Sequence, residues 1–196
     1  MNELLEKLSN RVLEISRLHG SSHIGSCLSI LPILIEIYQR KLPHEKFVLS
    51  CGHAFLAQAV VMEHYGLGDA EKIYAHHLTH PDRCDTCGLD FSTGSLGHGI
   101  GAALGIALAA PDETVYCVIS DGECGEGSVW EALRIKTQNN VDNLKVYANI
   151  NGYTALEEID RKNLRERLLL FCPDIDVRFT SNTAEYDGVK GHYVTP

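Results

Sequence analysis

Apolar residues recur at helical spacing from the start of the chain. Leu4, Leu5, Leu8, Val12 and Ile15 predict a helix over residues 2–18, with Asn2 placed to cap it. The pattern breaks at Gly20-Ser21-Ser22-His23-Ile24-Gly25-Ser26, and a second helix is expected over residues 28–40. Phe47-Val48-Leu49-Ser50 reads as a short buried strand stopped by Cys51-Gly52. A third helix follows over residues 54–65, ended by Gly66 and Gly68. Residues 76–97 have no period and carry Pro81, Asp82, Gly88, Gly94 and Gly97, the marks of an ordered functional loop longer than most connections. Small residues over 99–110 predict a helix that can lie close on a sheet.

The run Thr114-Val115-Tyr116-Cys117-Val118-Ile119 is continuously apolar, as in a parallel strand covered on both faces. A helix over 126–138 and a strand over 144–150 come next. Beyond them a helix is expected near 159–170, with strands near 175–179 and 193–195. Strands alternating with helices imply an α/β three-layer domain with a mostly parallel sheet and its site at the carboxyl edge. No repeat, low-complexity run or linker divides the chain, so residues 1–196 read as one domain.

Composition removes several function classes. The 196 residues carry 17 basic against 26 acidic side chains, a formal charge of −9, which argues against nucleic acid or an anionic membrane as the main partner. No apolar run approaches the roughly 20 residues that span a bilayer. The acidic, amphipathic start does not resemble a signal peptide. Seven cysteines, an odd number, then read as reduced thiols, and the expected location is cytoplasmic.

Candidate chemistry sits where two strands end. Ser120-Asp121-Gly122-Glu123-Cys124-Gly125-Glu126-Gly127 follows the best strand, and Asn149-Ile150-Asn151-Gly152 ends the next. Ligands of open α/β sheets bind outside the carboxyl ends of strands. A carboxylate (Asp121) and an amide oxygen (Asn151) suit a hard cation such as Mg2+, which often shares its ligands with a diphosphate. Gly122, Gly125 and Gly127 let backbone approach phosphate oxygens. A glycine-rich turn with Asp121 as a simple cap fits the same spacing.

The segment Ser120-Asp121-Gly122-Glu123-x-x-Glu126-Gly127-x-x-Trp130-Glu131-Ala132, followed by Asp142-Asn143-Leu144 and Asn151, resembles the thiamine-diphosphate signature of transketolases. Three earlier segments match in the same order: Ser22-His23-Ile24-Gly25; Val48-Leu49-Ser50-Cys51-Gly52-His53-Ala54; and His80-Pro81 leading to Ser92-Thr93-Gly94-Ser95-Leu96-Gly97-His98-Gly99. The likeness covers residues 8–155 and extends to 1-deoxyxylulose-5-phosphate synthase and the 2-oxoacid dehydrogenase first components.

The resemblance implies the amino-terminal, diphosphate-binding domain of the thiamine-diphosphate fold, as in split transketolase amino-terminal subunits. Asp121 and Asn151 would bind Mg2+ with the Tyr153 carbonyl. His53, Gly122 and Glu123 would lie by the cofactor diphosphate, and Gly94, Ser95 and Leu96 along its rings. His23 and His80 would point into the substrate channel as hydrogen-bond or proton-transfer groups, work that suits an imidazole. Glu126 matches a carboxylate that meets its counterpart at the family's dimer interface, and Trp130 reads as a helix-face packing residue. The implied activity is transfer of a two-carbon ketol unit between sugars, which are expected to be phosphorylated. The alternatives are 2-oxo-acid decarboxylation with acyl transfer and a non-catalytic scaffold of the same fold.

Departures from the family pattern matter too. Position 149 is Asn where Asp is usual, which is expected to weaken or alter the cation site, and position 120 is Ser where Gly is usual. The family's pyrimidine-binding domain has no counterpart in these residues, so a separate pyrimidine-binding subunit is the expected partner, in a homodimer or heterotetramer. Helices 54–65 and 99–110 are expected to offer subunit-contact surface. Outside the family pattern stands His76-His77-x-x-His80-x-x-x-Cys84-x-x-Cys87, whose spacing is compatible with zinc and equally with two free loop thiols. His19, His44, His64 and His192 read as surface or structural histidines.

Overall fold

The strands marked by apolar runs line up side by side. In the computed structural model, which describes residues 2–181, 185–191 and 193–196, β1 (Lys46–Leu49), β2 (Val115–Ser120), β3 (Leu144–Ile150) and β4 (Asp176–Phe179) form a parallel sheet in the order β1-β2-β3-β4. Every residue of β2 is buried, as a continuous apolar run requires. Side chains alternate between the two faces with the strand period of two. Phe47, Leu49, Tyr116, Val118 and Tyr147 face one core, and Val48, Cys117, Ile119, Val146 and Ala148 face the other.

Helices α1 (Asn2–His19), α2 (Ile24–Arg40), α3 (Phe55–His64) and α4 (Ala70–His77) bury their apolar faces in the first core. Helices α5 (His98–Ala109), α6 (Gly127–Gln138) and α7 (Arg161–Phe171) cover the second, and a short α8 (Gly188–Gly191) lies near the end. Truncating a fully buried residue such as Ile119 to Ala removes both transfer energy and packing, at about 2–5 kcal/mol. Among the described residues no helix is long and apolar enough to cross a membrane.

Four expectations are corrected. α2 begins at Ile24 and runs through Pro32. Ten buried residues from Ile24 to Ile37 outweigh the roughly 3 kcal/mol that an interior proline costs. α4 had no signal in the expected pattern, yet Asp69 caps it by accepting the Lys72 amide, and Ala70, Ile73 and Tyr74 bury one face. Residues 193–195 form no strand; the Val194 amide donates to the Gly191 carbonyl instead of to the sheet. α3 is interior from Phe55 to Met62, so any contact surface it offers is confined to its last turn at Glu63 and His64, whereas Leu108 on α5 is half exposed. His192 lies outside the described residues.

Candidate active site

The register that pairs Ser120 with Asn149 brings the carboxyl ends of β2 and β3 together, and their polar tips meet. Asp121 donates its amide to the Asn149 carbonyl. Its carboxylate accepts from the Gly122 amide at 3.1 Å and the Gly152 amide at 2.7 Å. Burial pushes this carboxyl up to about 6, and the backbone amides of Gly152, Gly122 and Asn151 pull it back only partly. The Asn151 side-chain oxygen accepts the Tyr153 amide at 3.0 Å, holding the turn after β3.

Beside this junction is a cavity of about 200 Å3. Ser120, Asp121 and Gly122 line it from β2, and Tyr153, Thr154 and Ala155 from the turn after β3. His23 and Ser26 come from the start of α2, His53 from the turn after β1, and His80, Gly94 and Leu96 from the 78–97 loop. Among these lining residues there is no lysine or arginine.

His23 sits at the amino end of α2 with φ 66°, a left-handed conformation that costs a non-glycine residue about 1 kcal/mol or more. Its Nδ1 shares a 2.8 Å hydrogen bond with the Ser22 hydroxyl, and its ring lies 5.4 Å from that of His53. Close approach of backbone joins the walls. A Cβ on Gly52 would stand 2.7 Å from the Thr93 carbonyl carbon, and one on Gly94 would stand 3.1 Å from the His80 side chain.

Glu123 is placed differently from the cofactor role expected for it. It is fully buried, does not line the cavity, and accepts the Ser50 hydroxyl at 2.6 Å, the Gly97 amide at 2.9 Å and the Ser120 amide at 3.1 Å. Burial raises its carboxyl above the ordinary value despite those three donors. It ties together the ends of β1 and β2 and the start of α5. Ser95 and Glu126 are exposed and stand outside the cavity lining, and Asn151 meets the site through the turn rather than its surface. Trp130 packs against Phe171 and donates its indole N–H to the Cys124 carbonyl, a structural role as expected.

The departure at position 149 has a local explanation. Asn149 donates to the Ser29 hydroxyl at 3.0 Å and accepts from Thr180 at 2.7 Å, so both ends of its amide are committed to packing α2 and the residue after β4 onto β3. Ser26, Thr154 and Ala155 also line the cavity, beyond the residues expected from the sequence. Ser26 could have been found from its place one helical turn after His23; Thr154 and Ala155 carry no side-chain signal.

The donor set fits a divalent cation and a diphosphate. A buried carboxylate partnered by backbone amides, with no cationic side chain in the lining, is a donor set that would suit a cation. The backbone at Gly122 is unobstructed on its side-chain side, with Ser120 Oγ as the nearest atom at 3.8 Å. Thr93 Oγ1, next to Gly94, is buried without a hydrogen-bond partner.

Solved transketolases have this fold. The structure from Campylobacter jejuni superposes with a TM-score of 0.74 at 21% identity, covering 98% of this chain and 40% of that one. The transketolase from Leishmania mexicana gives 0.70 at 23% identity over 85% of this chain and 31% of that one. The family described as transketolase, thiamine diphosphate binding domain, matches residues 8–166, and the chain belongs to that family. Similar proteins include one of the subunits of the apulose-4-phosphate transketolase of Phocaeicola vulgatus, 29% identical over 95% of this chain and 78% of that protein. The 6-deoxy-6-sulfo-D-fructose transketolase subunit SqwG of a Clostridium species is 34% identical over 72% of this chain and 60% of that protein. Human transketolase is 32% identical over 76% of this chain, which spans 28% of that protein's length.

Proposed function

We propose that this chain is the diphosphate-binding subunit of a transketolase-like transferase that moves a two-carbon ketol unit between sugars. One observation carries the reading: the buried Asp121 carboxylate meets the Asn151 turn at the edge of a cavity that three histidines also line. Asp121, Asn151 and the Tyr153 carbonyl would hold Mg2+, and His53 and Gly122 would contact the diphosphate of thiamine diphosphate. The cofactor supplies the electron sink that makes cleavage beside a ketone possible. Gly94 and Leu96 would shape the wall against its rings, Glu123 would hold that wall from behind, and Ser95 would meet the cofactor only through an adjustment of the loop.

His23 and His80 face the space left for substrate. An imidazole can hydrogen-bond hydroxyls and serve in proton transfer. Imidazoles in a lining without lysine or arginine suit the hydroxyls of a polyhydroxy donor, and a cationic partner for any anionic group of the substrate would come from outside this lining. The names of the P. vulgatus and Clostridium relatives support a ketose carrying an anionic tail, and their subunit names support a separate pyrimidine-binding partner. Glu126, exposed at the start of α6, and the outer face of α5 with Leu108 are the surfaces we assign to association, as a homodimer or heterotetramer. Seven free thiols support a cytoplasmic location.

The test is copurification of the untagged partner from the native host, followed by titration of thiamine diphosphate with Mg2+ into the pair. Ketose and 2-oxo-acid donors are then compared. The reading expects Mg2+-dependent binding and turnover of a ketose, both lost in Asp121→Ala. Equal binding by Asp121→Ala, or turnover of 2-oxo acids alone, overturns it.

A further inference from the structure

Where the end of α4 meets the 78–97 loop, outside the cavity lining, three metal-ligating side chains converge. His77 lies in the last turn of α4, and its Nε2 is 3.4 Å from the Cys87 sulfur. Cys84 accepts the Cys87 amide on its own sulfur at 3.2 Å, the turn geometry that Cys-x-x-Cys makes when both thiols point to one place. Cys84 and Leu89 exchange two backbone hydrogen bonds, 3.0 and 2.9 Å, which close the turn and hold it in shape. One ligand atom from each of His77, Cys84 and Cys87 lies within 4.8 Å of the other two. All three residues are partly buried, so the site is formed and still reachable from solvent.

We propose that His77, Cys84 and Cys87 bind one Zn2+, with the fourth position open to water. Bond lengths of about 2.3 Å to sulfur and 2.0–2.1 Å to nitrogen put tetrahedral ligands roughly 3.5–3.8 Å apart, against 3.4 Å from His77 to Cys87 and no more than 4.8 Å for the other pairs. Two thiolates and an imidazole select zinc over Mg2+ and Ca2+, which take oxygen ligands. The site is therefore chemically separate from the Asp121 junction. It also leaves His80, three residues beyond His77, in the cavity, so the two roles do not compete. Zinc here fastens the loop that carries His80, Gly94 and Leu96 to the end of α4. The proposal stands whether or not the transferase reading does, because its readout is metal content.

The full chain, without a histidine tag and kept reduced, is loaded with zinc, passed over a desalting column and analysed for metal. The expected result is one zinc per chain, lost in His77→Ala, Cys84→Ser and Cys87→Ser and retained in Cys172→Ala, whose thiol lies in the opposite core. Cobalt loading of the unmodified chain gives the same answer without any variant. A tetrahedral sulfur-ligated ion shows visible d–d bands and a sulfur-to-cobalt charge-transfer band. Hydrogen exchange of residues 78–97 should slow when zinc is added. Absence of retained metal, retention in all three variants, or a cobalt spectrum without sulfur ligation overturns the proposal. So does a reduced chain that only forms a Cys84–Cys87 disulfide in air.

Discussion

The Asp121 carboxylate accepts the amide hydrogen of Gly152 at 2.7 Å, so the tip of β2 is bonded directly to the turn after β3. Asp121→Asn removes the charge of this junction and turns an NH2 donor toward either the Gly122 or the Gly152 amide. Loss of a carboxylate hydrogen bond and relief of a buried charge oppose each other at about 1–3 kcal/mol each. Stability in urea without added cation should then change by less than about 1 kcal/mol, while Mg2+-dependent thiamine diphosphate binding, followed by calorimetry, is lost.

Glu123→Gln should be costlier for the fold. The wild-type carboxylate accepts from Ser50, Gly97 and Ser120, and the amide of glutamine turns a donor toward at least one of those donors. A loss of about 2 kcal/mol is expected in chemical denaturation. An unchanged midpoint would show that the three segments do not depend on it.

His23→Gly relieves the left-handed backbone and removes the imidazole. The variant should be as stable as the parent or gain a few tenths of a kcal/mol, yet turn over about a hundredfold more slowly in the reconstituted enzyme. A matching loss of stability would make the residue structural.

Gly52→Ala drives a methyl into the backbone at Thr93 and Gly94. The expected cost is about 1–3 kcal/mol, with weaker cofactor binding because Gly94 is part of the cavity wall. Thermal unfolding and calorimetry together check it.

Arg11 forks onto Glu63 at 3.0 and 3.2 Å, and the Ala70 amide adds a third donor to that carboxylate. The hydrogen bonds from Arg11 hold the Glu63 carboxyl below its ordinary value near 4.5. A depressed carboxyl stabilises the fold above its unfolded pKa, and that contribution fades as pH falls through the folded value. Glu63→Gln should cost about 0.5–1 kcal/mol at pH 7, a difference that shrinks as pH falls below the ordinary value near 4.5, allowing for the group's partial exposure. A difference that stays constant with pH would exclude the ion pair as its source.

Much of this was readable in the chain. β2 follows from its continuous apolar run, because a parallel strand buried on both faces has little room for a polar residue, and the other strands follow from their alternation with helices. The meeting of Asp121 and the Asn151 turn follows from strand ends lying at one edge. What stayed hidden was decided by distance across the fold. Glu123 looks like a loop acid, and only the approach of Ser50 and Gly97 makes it an interior anchor. Residues 193–195 have strand-like side chains but no partner edge. His76, His77 and His80 are equivalent by spacing; the end of α4 selects His77 for the cysteines and leaves His80 to the cavity.

Because one interior acid joins residues 50, 97 and 120, the three segments of the hollow that carry them cannot loosen one at a time. A probe placed there and one placed in the apolar interior should report a single melting curve, and any compound that fills the hollow will raise the melting temperature of the entire chain.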